Sequence, residues 1–344
     1  VSGPLVSVVI PAYNAAKLVG DTVDAVLAQT YPNVEVIVVD DGSKDDTAAA
    51  LAPYGDRIRV IRKANGGLAS ARNAGTRTAR GEYVAMVDAD DLCTPDRVGL
   101  QLAFMQEHPE VVLCSSAFSA FDANGRISDD YGPLYYSMIG DAPAGVRSLY
   151  PLGERKRLTP APGTSAELQT YRGPVYDALV RGNFIHPPTV FYRRSTFEGA
   201  GDFDVSLRYT SDWEWLVRAA KLGPFGYLDR PLLDYRVSPG QMSGGANSRR
   251  AALENLRILE RLCEEDRELF ARDRATLERY LVSFCLDAAE AHADDHILET
   301  LRLVGKSLRY DKVPRAATVK LVAKALTPKR ALVGVRELRK RNPY

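Results

Sequence analysis

Three carboxylates, Asp88, Asp90 and Asp91, follow directly on the largely apolar run Glu82 to Val87. That run has the continuous apolar character of a strand buried on both faces. Carboxylates so close together repel one another unless a positive charge lies among them. Hard cations such as Mg2+ and Mn2+ prefer carboxylate oxygens, and Mg2+ is often held by one or two of them while substrate phosphates complete the shell. An Asp-x-Asp-Asp cluster at a strand end therefore points to a divalent metal, Mn2+ or Mg2+, that arrives with a diphosphate. Two more apolar runs end in polar groups: "LVSVVIPAYN" in Pro11, Ala12, Tyr13 and Asn14, and "VEVIVVDDGS" in Asp40, Asp41, Gly42 and Ser43. Capping of the next helix explains one acidic strand end. A ligand site explains three better. "KANGGLASARNAG" puts glycines before a helix that carries Arg72. This guanidinium suits a phosphate or an aspartate, with a plain surface arginine as the alternative.

The elements that must position these groups alternate. Apolar strands are separated by segments with helical spacing, such as Leu18, Val19, Val23, Val26 and Leu27. Strands of this kind alternating with helices predict an α/β fold with a Rossmann-like, mostly parallel sheet, whose ligands sit at the carboxyl ends of the strands. No G-x-G-x-x-G follows the first strand and no G-x-x-x-x-G-K-[ST] occurs, which argues against a dehydrogenase and a P-loop hydrolase. Residues 122–180 break the alternation and are rich in Gly, Pro and Tyr. A long irregular stretch in a compact domain suggests function. Further on, "HPPTVFYRRSTF" predicts a strand and a helix start, "TSDWEWLVRAAKLG" a helix, and "PFGYLDRPLLDYRV" two short strands. A flexible loop is expected over 238–248, then helices, with Leu253, Leu256, Leu259 and Leu262 on one apolar face. The expected organisation is an α/β domain over residues 1–245 and a helical C-terminal region over 246–344.

Composition adds limits. With 45 basic and 44 acidic side chains in 344 residues, there is no global attraction to nucleic acid. Four scattered cysteines suit packing in a reducing compartment. The N-terminal residues lead straight into an apolar strand, and no window is apolar enough to cross a membrane, so a soluble, cytoplasmic protein is expected. From Arg302 onward 13 Lys and Arg face two acids. That excess is either a solvated helical surface or a peripheral contact with the inner face of an anionic membrane.

Taken together, "VSVVIPAYN", "QTYPNVEVIVVDDGSKDDT", "NGGLASARNAG", "GEYVAMVDADD" and "TSDWEWLVRAAKLG" resemble a family-2 inverting glycosyltransferase over roughly residues 5–240. The resemblance implies the A-type glycosyltransferase fold, a nucleotide-diphosphate sugar donor (a UDP-sugar first), a divalent metal and inversion at the anomeric carbon. It implies that residues 1–245 form the nucleotide-sugar-binding catalytic domain. By the same resemblance Tyr13 stacks on the nucleobase beside Pro11, Asp41 holds the base edge with support from Asp40, and Asp88 faces the ribose. Asp90 ligates the metal with Asp91 assisting, and Asp212 is the catalytic base. A helix N-cap is the simpler alternative for Asp212. His186 is either structural or an acceptor contact, and Trp213 is the tryptophan expected on the acceptor side. The acceptor is a sugar, a lipid-linked sugar or a small molecule.

Two departures stand out. Ser211 precedes Asp212 where similar chains carry Glu, and Ser238 stands where they often carry a histidine after a Tyr-Arg pair. The Q-x-x-R-W motif of processive members is absent, so transfer of a single sugar is expected. A sugar-1-phosphate nucleotidyltransferase would need a Gly-rich triphosphate loop after the first strand. A non-catalytic sugar-nucleotide-binding scaffold would have no use for Asp88, Asp90 and Asp212 together.

Overall fold

The computed structural model describes residues 3–161, 163–238, 241, 245–293, 296–311 and 316–326. They fall into two compact units, Val1–Pro239 and Gly240–Tyr344.

The first unit begins as a β-α alternation: β1 (Val6–Ala12), α1 (Val19–Leu27), β2 (Val34–Asp40), α2 (Thr47–Leu51), β3 (Arg59–Arg62), α3 (Leu68–Thr78) and β4 (Tyr83–Met86). The short β5 (Leu92–Cys93), α4 (Arg97–Glu107) and β6 (Leu113–Asp122) follow. All seven residues of β1 are buried, as a strand covered on both faces must be. β1 pairs in parallel with β2 and β4, and β2 with β3. The carboxyl ends of β1, β2 and β4 therefore share one rim.

The stretch read as irregular contains β7 (Gly125–Ser128), α5 (Gly132–Tyr135), α6 (Ser137–Gly140), β8 (Leu152–Leu158), β9 (Ala166–Gly173) and α7 (Tyr176–Arg181). β8 and β9 form an antiparallel hairpin that extends the sheet. The sequence of β8, "LGERKRL", hid it, because charges replace the apolar period on a strand at the sheet edge. Then come β10 (Phe191–Arg193), α8 (Arg194–Ala200), α9 (Ser211–Ala220) and β11 (Phe225–Arg236). The expected pair of short strands is thus one strand of 12 residues, with register shifts on either side of Pro231. Proline lacks the donor a ladder needs and is tolerated at such irregularities.

The sheet runs β3-β2-β1-β4-β10-β6-β11-β9-β8, with β5 on β11 and β7 on β6. β10 is antiparallel to both its neighbours, and β6 is parallel to β11. Seven strands, β1, β2, β3, β4, β6, β8 and β11, therefore point one way, and the reversed ones are the short β10 inside the sheet and β5, β7 and β9 on its second half, which leaves the mostly parallel α/β sheet that the alternation predicts.

Helix α3 carries Arg72, and it lies unusually close to the sheet. A Cβ on its Gly75 would come within 2.3 Å of Val9 Cγ1 and 3.1 Å of Val39 Cγ2. Overpacking of this kind typically costs about 1–3 kcal/mol. Gly75→Ala is expected to lose that much stability in urea denaturation. A midpoint equal to wild type would show that α3 can shift freely.

The second unit consists of α10 (Gly245–Glu265), α11 (Arg267–Arg272), α12 (Arg274–His292), α13 (Ile297–Tyr310) and α14 (Ala316–Leu326). Leu256, Leu259 and Leu262 are buried on the apolar face of α10. Glu260 on the same helix binds Lys306 Nζ at 2.5 Å and the Tyr310 hydroxyl at 2.9 Å. Among the described residues no helix is long and apolar enough to cross a membrane. Much of the basic stretch considered for membrane contact, from residue 327 onward, lies outside the described residues.

Candidate active site

The loops after β1 and β2 are stitched together. The Asn14 amide donates to Ser43 Oγ at 2.9 Å, and Asn14 Oδ1 accepts from the Lys44 amide at 2.8 Å. Asn14 takes φ 50°, a left-handed conformation that asparagine tolerates better than most residues. Beside it the Tyr13 ring is 47% exposed, while Pro11 is buried in the strand end. An exposed aromatic on a pinned loop can receive a flat ring.

Asp40 is buried and accepts from the Ser43 amide at 2.8 Å, and it faces Arg62 at 3.4 Å. Asp41, also buried, binds Lys63 Nζ at 2.6 Å and the amides of Gly66 and Gly67 at 3.0 and 2.7 Å. The carboxylate expected at a base edge thus also latches the loop that leads into α3. Its partners were within reach of the sequence, since "KANGG" marks a loop with unhindered amides.

At the end of β4 the three carboxylates separate. Asp88 is partly exposed, and its Oδ1 accepts from Arg72 Nη2 at 3.1 Å. Asp90 is partly buried. Asp91 is 0% exposed, and its Oδ1 accepts from the Arg236 amide at 3.0 Å. Burial pushes the Asp91 carboxyl well above the ordinary range, with repulsion from Asp90 and Asp88 adding to it. Asp91, expected to assist Asp90 at the metal, stands beneath the turn as a buried support. Arg72 is buried rather than on the surface, with Phe203 6.0 Å from its guanidinium. Asn73 fixes that ring by exchanging two hydrogen bonds, of 2.9 and 2.8 Å, with the Phe203 backbone.

Asp212 lies in the first turn of α9, where Thr210 takes the cap position. Burial raises its carboxyl above the usual value, and Asp88 adds to this. Arg72 and the amides of Trp213 and Asp212 oppose it. Asn183 Nδ2 lies 3.5 Å from Asp212 Oδ2. Arg72, Met86, Phe203, Asp212 and Trp215 line one small recess. Trp213 does not join them. It is buried, with its indole N–H on the Leu179 carbonyl at 2.7 Å, which corrects the expectation that it forms an acceptor wall.

His186 is buried and stacked on Phe118 at 4.1 Å, with Tyr135 and Tyr235 edge-on. Burial, with help from Arg72 and Arg97, pushes its imidazole down to about 3, so it is neutral at physiological pH. Its Nδ1 lies 3.4 Å from the Tyr136 hydroxyl, and Tyr136 in turn feels the charge of Asp212. The structure thus places His186 in an aromatic cluster bordering the Asp212 side. Tyr136 and Asn183 were not anticipated, since neither belongs to a recognisable motif.

The donor set suits a hard cation. Asp88 and Asp90 offer carboxylate oxygens on a crowded acidic turn. Among the described residues no three carboxylate, thiol or imidazole groups form a ready cage. A metal here would therefore take one or two protein oxygens and the rest from water and a diphosphate, as Mg2+ commonly does.

An α/β sheet whose rim gathers an exposed aromatic, a latched aspartate, a split acidic turn and a half-buried helix-borne carboxylate has the layout of an A-type glycosyltransferase. Residues 7–175, 169 of the 344, match the model of Glycosyl transferase family 2, and that part of the chain belongs to the family. An uncharacterized glycosyltransferase of Rickettsia prowazekii (strain Madrid E) is 28% identical over 268 residues, covering 76% of this chain and 74% of that one. Among solved structures, TarS of S. aureus is similar over 92% of this chain and 50% of its own, at 19% identity and a TM-score of 0.55. This chain thus spans half of that longer one. A shorter TarS chain in complex with UDP matches over 89% of this chain and 88% of its own, at 18% identity and a TM-score of 0.51. The mannosyltransferase PcManGT of Pyrobaculum calidifontis, in complex with GDP-Man and Mn2+, matches over 94% and 84%, at 18% identity and a TM-score of 0.54.

Proposed function

We infer that the α/β unit moves a single sugar from a nucleotide-diphosphate donor, a UDP-sugar, to an acceptor hydroxyl with inversion. The observation that carries this reading is the convergence on Arg72: it bonds Asp88 on the donor side, and its charge favours the ionised form of Asp212. UDP in TarS and GDP-Man with Mn2+ in PcManGT, two proteins of the same fold, support a nucleotide-sugar donor and a divalent cation.

In this reading Tyr13 stacks on the base beside Pro11, with Asp41 and Asp40 at its edge and Asp88 toward the ribose. Asp90 holds the cation, which when bound acts as a Lewis acid on the departing diphosphate. Glycosyl transfer passes through an oxocarbenium-like state. The acceptor oxygen bonds to the anomeric carbon as the bond to the diphosphate oxygen breaks, and that oxygen keeps the electron pair. Asp212 takes the acceptor proton. A carboxyl raised toward the operating pH is a stronger base than an ordinary one, while Arg72 favours its ionised form. Attack from the opposite face needs no enzyme nucleophile. The acceptor is a sugar, a lipid-linked sugar or a small molecule, and the basic C-terminal stretch favours one presented at a membrane surface.

A thermal-shift screen of UDP, dTDP, GDP, ADP and CMP, each with and without Mn2+, tests the donor class. A ligand at 100 times its Kd stabilises the folded state by about 2.7 kcal/mol. UDP with Mn2+ is expected to give the largest shift. A larger shift with GDP would move the donor to a GDP-sugar, and no shift with any nucleotide would overturn the reading.

A further inference from the structure

Arg236 closes β11 and touches the acidic turn twice. Its backbone N–H donates to Asp91 Oδ1 at 3.0 Å, and its Nε donates to the Asp90 carbonyl oxygen at 2.9 Å. Its Nη2 reaches Asp21 Oδ2 at 3.0 Å, on helix α1, which follows the Tyr13 loop. The guanidinium lies 4.8 Å from the Phe121 ring centre. The strand that delivers Arg236 also pairs with the residues just after the turn, Leu233 with Cys93 and Asp234 with Leu92.

These bonds fix the Asp90–Asp91 peptide plane. With that plane set, the side chains part: Asp91 goes to the interior and Asp90 stays partly exposed. Binding a cation requires carboxylate oxygens placed to within tenths of an ångström, since Mg2+ tolerates little departure from its preferred geometry. We propose that Arg236 is a positioning residue for Asp90, setting cation affinity through the backbone of the turn without touching the ion. This rests on the reading of Asp90 as the cation's ligand. Groups that orient a metal ligand typically change affinity or activity by about 10- to 100-fold.

The sign of the effect makes the idea testable. Arg236 is a positive charge near a cation site, so Coulomb's law alone predicts that its removal tightens cation binding. Positioning predicts the opposite. Mn2+ would be titrated into the full chain with UDP, free Mn2+ being read by its electron paramagnetic resonance signal, with no turnover needed. Arg236→Met keeps an aliphatic stem over Phe121 and the backbone N–H to Asp91, and loses the guanidinium donors to the Asp90 carbonyl and Asp21. It is expected to weaken Mn2+ binding by about 10-fold or more while UDP binding without metal stays unchanged. Asp21→Asn removes only the outer ion pair, and a loss of less than about threefold is expected because the bond to the Asp90 carbonyl survives. Should the methionine variant not fold, Arg236→Lys retains charge and stem. Weaker Mn2+ binding is expected there too, because one ammonium cannot replace the fork that spans the Asp90 carbonyl and Asp21. Equal or tighter Mn2+ binding in the folded variant overturns the proposal, even if its melting temperature falls. If wild type binds no Mn2+ with UDP, the metal reading of Asp90 fails first and takes this inference with it.

Discussion

Asp212→Asn is expected to leave a folded protein whose turnover is lower by about 100-fold or more, the usual contribution of a general base. The same change should not destabilise the chain. The Asp212 carboxyl is raised by burial. The folded state thus binds this proton more tightly than the unfolded state, and the group contributes most to stability below the unfolded pKa. That contribution is lost as pH rises through the folded value. Asparagine removes this penalty of ionisation at neutral pH, so the melting temperature should equal or exceed wild type. In wild type, kcat/KM should fall on the acid side with an apparent pKa above that of an ordinary aspartate, because the base must be ionised to accept a proton. Steady-state rates from pH 4 to 8, with melting curves at the same pH values, check both statements. Turnover near wild type in Asp212→Asn would return this residue to a role in the first turn of α9 alone.

The second large effect separates two neighbouring carboxylates. Asp90→Asn is expected to lower turnover about 100-fold and to abolish the Mn2+-dependent part of nucleotide binding, since under the proposed function a ligand and its charge would be lost. Asp91→Asn should behave differently. Its retained carbonyl oxygen can still accept from the Arg236 amide, and a neutral group relieves repulsion from Asp88 and Asp90. A loss within about tenfold is expected, as for a group that acts through its neighbour. The measurement is rate against Mn2+ concentration for both variants. A greater requirement for Mn2+ in Asp91→Asn than in Asp90→Asn would reverse the assignment.

The sheet rim was legible because its signals are local. Apolar runs that stop at Tyr13, Asp41 and Asp88 announce both the strand and its carboxyl end. The helix carrying Arg72 and the helix opening at Asp212 likewise follow from spacing. What stayed hidden depends on pairing across long separations. Whether Asp91 points inward is decided by Arg236, 145 residues away in sequence. Trp213 and Trp215 are one residue apart on each side of Glu214, yet one packs against Leu179 and the other stacks on Phe203. Helical direction, rather than residue type, separates them. The β8–β9 hairpin escaped notice because an edge strand is charged for solubility. The reversal of β10 could not be read from three residues.

That reversed strand has a consequence for how the chain is made. β10 fills the slot between β4 and β6, with Phe191 opposite both Ala85 and Cys114. β4 and β6 are synthesised well before it, so during translation two hydrogen-bonding edges face a gap in the middle of the future core. Unpaired edges of that kind invite contact with other chains. The span matched by the family model ends at residue 175, short of both β10 and Asp212. A nascent chain of that length would have the ends of β1, β2 and β4, an open seam beside β4, and neither β10 nor Asp212. Closing the seam therefore waits for Phe191–Arg193, and Asp212 follows that strand by a short stretch of chain.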